Sequence, residues 1–506
     1  MKTYILPVLL SAVLTVLSGQ PLFSQKKTWT PALELCDCRF KVDSIYLANA
    51  PALLRTDSVF LNRIDSSFKT QCGYLIVPEN RNNATSKKIK LPFIVVKSKN
   101  PNKKKDPVLF TSGGPGNSSL GWANSITKST LLLDRDCIAF EQRGTRFAVP
   151  YLRRFDLDNA IRESYRKNLP KDSMVIEGVK RYKKNLEAVG IDLAGYNSDE
   201  TVADISDLLT VLHIDSVNLT GGSYSGGLML AVLQSDSSRV RSLVLDSPLP
   251  MFVAIDEDEP VNLIEALSVL FNYVERDSTN KTVYGNLRER FHRYFTSITN
   301  KTFYISYLEK GTTDSLKIQY TKNELLEYIT GNMLNHTTIK DVPFIITEMI
   351  QGKHNVYIKK KLDDIFNKNT APDGMRMTVY CADQAAYHNE EIIHQLYKLY
   401  PYLAGYRIND VYKAMCDCWN VPPVKARTKQ PFYSGKPVLT GDGEMDPACR
   451  PLYMKRIQHY MPNCQSFLFM NRSHGVGGKE FFEMTQKFID TPYQRVEPPS
   501  VTIIAY

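Results

Sequence analysis

Beyond its N-terminal stretch, the sequence has no apolar run approaching the roughly 20 residues that a helix needs to cross about 30 Å of hydrocarbon. That lack excludes a protein built on membrane-spanning helices. Low-complexity tracts and repeats of fixed period are also missing, which argues against solenoids, propellers and long disordered tails. No Cys-x-x-Cys pair and no His-Glu-x-x-His element occurs, so neither a zinc knuckle nor a zinc-protease helix is encoded. Basic runs such as Lys103-Lys104-Lys105 carry no aromatic-plus-basic motif with them, and the net charge of +10 therefore gives no reason to expect a nucleic-acid partner. Nothing in the chain calls for a metal or a cofactor.

What is present starts at the N-terminus. Lys2 precedes an apolar run from Ile5 to Leu17, and small residues follow at Ser18, Gly19 and Ser24. This is the pattern of a cleavable secretory signal peptide over residues 1–24. It implies a secreted or periplasmic protein with no stable membrane insertion. Nine cysteines suit an oxidising compartment. Cys36 or Cys38 is expected to bridge to Cys72, and Cys381 to Cys416 or Cys418. The odd count leaves at least one thiol free or paired between chains.

The 506 residues, 43% of them hydrophobic, suffice for a large core. After an N-terminal extension over 25–71, short β-rich runs alternate with helical stretches. Gly73–Val77 and Ile89–Val96 read as a hairpin. Val108–Thr111, Ile138–Phe140, Val217–Thr220, Leu243–Leu245, Val438–Thr440 and Ser466–Met470 read as further strands, several apolar on both faces. Between two of them, Ser198–Leu212 places Val202, Ile205, Leu208, Leu209 and Leu212 on one helical face. Such alternation predicts an α/β fold with a mostly parallel central sheet and helices on both faces. It pauses after Pro250. Residues 251–431 show helical stripes (Leu263, Leu267, Leu270, Phe271, Val274; then Leu325, Leu326, Ile329, Met333) and little strand signal. The pattern predicts a helical cap inserted between a first core part, 72–250, and a second, 432–506.

Within that frame, Leu219-Thr220-Gly221-Gly222-Ser223-Tyr224-Ser225-Gly226-Gly227 joins a strand to a helix. A serine nucleophile on such a turn needs small residues two before and two after it, and Gly221 and Ser225 meet that need for Ser223. A rival register makes Ser225 the nucleophile. Ser112-Gly113-Gly114-Pro115-Gly116 follows another central strand, and its glycines let backbone N–H groups approach a ligand. Gly114 and Tyr224 are the candidate oxyanion donors. Asp446 and His474 each follow a late strand, giving the chain order serine, acid, histidine of the α/β-hydrolase fold. Asp442, Glu444 and Asp246 compete as the acid. Cys449–Met461 reads as the helix between acid and base. His388 and His394 read as ordinary helix-surface residues.

These elements together resemble the proline iminopeptidase and tripeptidyl aminopeptidase family of α/β-hydrolases. The likeness rests on Gly113-Gly114-Pro115-Gly116, Glu141-Gln142-Arg143-Gly144, Gly221-Gly222-Ser223-Tyr224, Gly443-x-x-Asp446-Pro447 and His474-Gly475. It spans about 72–250 and 432–480, with the cap matched in position only; Cys381-Ala382-Asp383 and the Cys416–Trp419 segment look like the disulfide-bearing lid of secreted members. Ser112 stands where the family usually has His, and Glu141 where it has Asp. The resemblance favours Ser223 over Ser225 and implies hydrolysis of peptide bonds near a free N-terminus. It also implies cap carboxylates that hold the substrate's ammonium group, for which Asp383, Glu390 and Glu391 are the candidates. An esterase or lipase with the same triad is the nearest alternative, and a non-catalytic binding protein on this fold is the alternative from another class.

Overall fold

Val108–Thr111 and Cys137–Phe140 are buried at every position, a burden that only a strand covered on both faces carries. They form the middle of a ten-stranded sheet in the computed structural model, which describes residues 29–43, 59–60 and 64–506. The expected signal peptide lies outside the described residues. In chain order the strands are β1 (Ala32–Cys36), β2 (Thr70–Pro78), β3 (Lys88–Val96), β4 (Val108–Thr111), β5 (Cys137–Phe140), β6 (Val217–Gly222), β7 (Val240–Asp246), β8 (Val438–Gly443), β9 (Cys464–Phe469) and β10 (Ile503–Ala505). Their spatial order is β1-β2-β3-β5-β4-β6-β7-β8-β9-β10. From β5 to β9 every neighbour pair is parallel. The remaining pairs are antiparallel: β1 with β2, β2 with β3, β3 with β5, and β9 with β10. The mostly parallel sheet expected from the sequence is present; the short edge strands β1 and β10 were not anticipated.

Two helices flank the motif-bearing turn: α1 (Ser198–Val211) and α2 (Tyr224–Ser235). Asn197 caps α1 by accepting from Glu200 N, and Asp199 and Glu200 suit its positive end. On one face of the sheet Val108 and Phe110 cluster with Ala123, Phe481, Met484 and Phe488, from helices 122–126 and 479–490. Side chains alternate along a strand, so Leu109 faces the opposite side. There α2 packs on β6 and β7, with α1 behind it.

Between β7 and β8 the chain forms a cap with a core of its own. It contains α3 (Ile255–Arg276), α4 (Lys322–Met333) and α5 (Gly374–Tyr380). Both predicted stripes lie in that core. Thr321 and Glu324 close a capping box at the start of α4. The expectation of little strand structure here needs correction. Phe303–Leu308 and Ser315–Tyr320 pair as an antiparallel hairpin. Its first strand buries Ile305 and Tyr307 and exposes Tyr304 and Leu308. With bulky apolar residues on both faces, the period of two is hidden from the sequence. The late helix is also shorter than expected, spanning Leu452–Tyr460. Cys38 bridges to Cys72 and Cys381 to Cys416, while Cys36, Cys137, Cys418, Cys449 and Cys464 are free.

The Glu141–Gly144 motif turns out to be a strut. Arg143 is fully buried and pairs with Asp204 on α1 at 2.7 Å, while donating to Glu79 O and Gly195 O. Arg81 joins the same carboxylate and reaches Asp207 at 2.7 Å. Burial raises the cost of charge on Asp204, but the two guanidinium groups outweigh it and hold its carboxyl below the usual range. Asp204→Ala would leave two cations short of a buried partner. It is expected to lower stability by about 3–5 kcal/mol, read from the urea midpoint. A loss under about 1 kcal/mol, the size of an exposed pair, would contradict the strut reading.

Candidate active site

The turn between β6 and α2 admits few residues. Ser223 sits at φ 54°, ψ −128°, a conformation that costs a non-glycine residue on the order of 1–3 kcal/mol. Backbone bonds on both sides hold it there. Ser223 N donates to Asp246 O (2.9 Å), and Ser223 O accepts from Gly226 N and Leu249 N (both 3.0 Å). A Cβ on Gly221 would collide with the Ser225 carbonyl, and one on Gly227 with Leu249 O. The rival register is decided by the same geometry. Ser225 is completely buried, and its hydroxyl lies at hydrogen-bonding distance from Gly222 N and O and from Thr111 O. It stitches the elbow to β4 and has no access to a ligand, whereas Ser223 lines a cavity of about 460 Å³.

His474 lines that cavity too. Its Nδ1 lies 2.6 Å from Asp446 Oδ2, and Asp446 Oδ1 accepts from Ala448 N (2.7 Å) and Cys449 N (2.9 Å). Burial works against charge on both groups, but their mutual attraction prevails: the Asp446 carboxyl is held below its ordinary value and the His474 imidazole above its own. Among the described residues no hydrogen bond joins Ser223 Oγ to His474. Its nearest polar partner is Cys449 Sγ at 4.0 Å. Such contacts are often long before substrate binds.

The competing acids have other places. Asp246 accepts from Val476 N (2.8 Å) and Gly477 N (3.0 Å), and Ser247 Oγ accepts from Gly475 N (2.9 Å), so the end of β7 anchors the His474 loop. Asp442 is buried; burial first, then the Asp446 charge, keeps its carboxyl well above the usual range. Two adjacent carboxyls are thus pushed in opposite directions.

The loop after β4 is held from both sides. Glu141 accepts from Ser119 N, Leu120 N and Ser118 Oγ, and Gln142 Nε2 donates to Ser112 O at 2.6 Å. Arg376 on α5 donates to Gly114 O at 2.7 Å. Gly114 and Tyr224 both line the cavity. Tyr224 opens α2, so its N–H has no intrahelical acceptor. Gly113, not singled out from the sequence, comes still nearer to Ser223: a Cβ there would lie 3.1 Å from Ser223 Cβ.

Of the three cap carboxylates predicted, the structure brings one to the cavity. Asp383 lies in a π-helical turn that continues α5 over Cys381–Ala385, a distortion often found at functional sites. It is 1% exposed; Ser198 Oγ donates to its Oδ2, and its Oδ1 has no partner. Burial raises its carboxyl despite that hydrogen bond and the charge of Lys429. Glu390 and Glu391 are not on the cavity wall. Glu390 is tied to His388 Nε2 at 2.7 Å and Glu391 is exposed on the next helix. The reason is that Asn389 caps a new helix there and swings both side chains outward. His388 is likewise no surface residue, because its Nδ1 is bound to Asp256 at 2.6 Å and its side chain is 3% exposed. The second cap carboxylate on the wall is Glu259 of α3, beside Asp246 from the end of β7. Burial and the neighbouring Asp256 hold it well above the usual carboxylate range. Its acidic neighbours Glu257 and Asp258 give no local signal that marks Glu259 as buried.

Residues 106–301 match the family described by the alpha/beta hydrolase fold. With the sheet order, the elbow and the cap insertion described above, the chain has the α/β-hydrolase fold. Solved structures similar to it include a mutant epoxide hydrolase from Bacillus megaterium with its product, at 13% identity and TM-score 0.38, covering 83% of this chain and 100% of that one. A bromoperoxidase from Bacillus anthracis matches at 14% identity and TM-score 0.37 over 82% and 99% of the two chains. An esterase from Exiguobacterium antarcticum matches at 14% and 0.32 over 80% and 94%. No curated protein matches the sequence. Nothing about substrate follows from these likenesses.

The geometry predicts a titration. His474 should ionise above its ordinary value near 6.5, and Asp446→Asn should move that ionisation down. The proton resonances of the His474 ring, followed against pH, read both. An unmoved midpoint in the variant would mean that Asp446 does not set the imidazole's charge.

Proposed function

We propose that this protein is an exported serine peptidase that cleaves peptide bonds near a free N-terminus. Ser223 serves as nucleophile, His474 as base and Asp446 as the group that orients and balances the imidazole. With Nδ1 held by Asp446, Nε2 of His474 is left to take the Ser223 proton as Oγ bonds to the scissile carbonyl carbon. The N–H groups of Tyr224 and of the Gly113-Gly114 turn receive the oxyanion, each such donor contributing about 2.7–4 kcal/mol. Collapse breaks the C–N bond, and the proton passes from His474 to the leaving amine. Water then attacks the ester by the same route, giving up its proton to His474 and returning Ser223 to its starting form.

The observation that carries the peptidase reading is the pair of buried carboxylates, Asp383 and Glu259, on the cap wall of the Ser223 cavity. A buried acid with an unpartnered oxygen is costly to maintain. An ammonium group placed against Asp383 would supply the hydrogen bond and counter-charge that burial withholds. A simple ester makes no use of either group. Export is supported by the Lys2 and Ile5–Leu17 pattern and by two disulfides.

The test is a panel of aminoacyl and tripeptidyl amides, free and N-acetylated, with matching esters. Free-amine amides should be cleaved, and Ser223→Ala should lose at least about 10³-fold in kcat. Asp383→Asn should raise KM for free-amine substrates by at least about tenfold, as expected when a buried charge pair loses one member, and spare N-acetylated esters. Equal losses on both would remove Asp383 from amine binding. Ester hydrolysis without any amide cleavage would move the function to the esterase reading. Failure of an active-site serine probe to label Ser223 would favour a binding protein.

A further inference from the structure

The cavity that holds Ser223 has a neighbour under the cap. Leu334, Ile408 and Asn409 line it and also line a second, larger cavity of about 810 Å³. The second cavity in turn shares Asp172, Arg407 and Tyr412 with a third space of about 410 Å³. Ile408 and Asn409 therefore stand at the inner junction, and Arg407 and Tyr412 at the outer one. A small ester or a single aminoacyl group needs no such length, since pockets of about 300–1,000 Å³ already enclose drug-sized ligands.

The two ends of the Ser223 cavity can be told apart. Ser198 Oγ bonds to both Asp383 and the Tyr224 hydroxyl, placing Asp383 on the side of α1 and α2. On the other side, Ser473 Oγ donates to Met333 O, so the chain at Leu334 packs against the loop that carries His474. His474 delivers its proton to the leaving nitrogen. A substrate with its amine at Asp383 would therefore send its leaving chain past Leu334, into the second cavity.

The charges lining that cavity differ in availability. Lys171 is paired with Glu324 and Glu327, and Lys361 with Glu327. Arg407 has a contact of 3.7 Å with the exposed Asp172, its charge also acts on the Glu259 carboxyl, and its guanidinium lies 4.1 Å over the Tyr412 ring. That stacking fixes the plane of the fork and leaves its edge N–H donors open to a carboxylate. Arg407 is also next in sequence to Ile408, at the junction of the two cavities.

We propose that the second cavity binds the C-terminal, leaving portion of an oligopeptide substrate and that Arg407 receives its terminal carboxylate. This rests on the peptidase reading above and narrows it: the substrates are short peptides with both ends free.

Peptides sharing one N-terminal segment, with leaving portions of one, two and three residues, test this when each is supplied as free acid and as C-terminal amide. Products are followed by mass spectrometry. In the wild type kcat/KM should rise with leaving length. The best free acid should exceed its amide by about tenfold, the size of one charge-assisted hydrogen bond. Arg407→Ala should bring that acid-to-amide ratio close to one, and Arg407→Lys should restore part of it. Each ratio is internal to one protein preparation, so loss of folded enzyme cancels. A wild-type ratio near one, or a ratio unmoved by Arg407→Ala, with peptide cleavage intact, would overturn this inference and leave the peptidase reading standing. Hydrolysis of esters with no peptide cleaved would overturn both.

Discussion

Holding Ser223 at φ 54° is the constraint on which the rest of the site depends. The turn exists because β6 ends where β7 offers the Asp246 carbonyl to Ser223 N and because Gly221 and Gly227 bring no side chain to the close approaches around it. β7 has a second task at the same place. The Asp246 carboxylate grips Val476 N and Gly477 N, and through them sets where His474 stands. One strand end thus locates Ser223 and His474 together, a precision that parallel strands with aligned carboxyl ends make available.

The electrostatics around this turn are built from opposed pairs. His474 and two backbone N–H groups hold the Asp446 carboxyl below its ordinary value, while burial and that same negative charge hold Asp442 beside it well above its own. Across the cavity Asp383 and Glu259 are carboxyls that burial disfavours as anions. A cation entering there improves its own position and theirs, which makes charge on the substrate a natural basis for selection. The cap therefore does more than cover the site. Arg376 reaches from α5 to the Gly114 carbonyl, linking cap position to the shape of the glycine loop after β4.

Reading the residues in order located much of this. The elbow is local, since a strand, small residues and a helix within a dozen positions leave little choice of conformation. The Asp446 and His474 loops were legible for the same reason, each lying just past a strand with turn residues around it. Other features were hidden by composition. The hairpin over 303–320 carries apolar residues on both faces, so its period vanished. Glu259 sits in a run of acids that gives no local sign of burial, and Glu390 and Glu391 looked equivalent to Asp383 until Asn389 was seen to start a new helix.

The sequence by itself determined the α/β alternation and the mostly parallel sheet, because these depend on hydrophobic period and on turns closed within a few residues. Tertiary structure alone decided which acid faces His474, that Ser225 serves as a stitch, which cysteines pair, and which cap carboxylates reach the cavity. Those outcomes depend on contacts between segments far apart in the chain: Asp446 with His474, Asp383 with Ser198, Arg376 with Gly114. No local pattern encodes such distances, because they arise only when the sheet is assembled and the cap is laid across its edge.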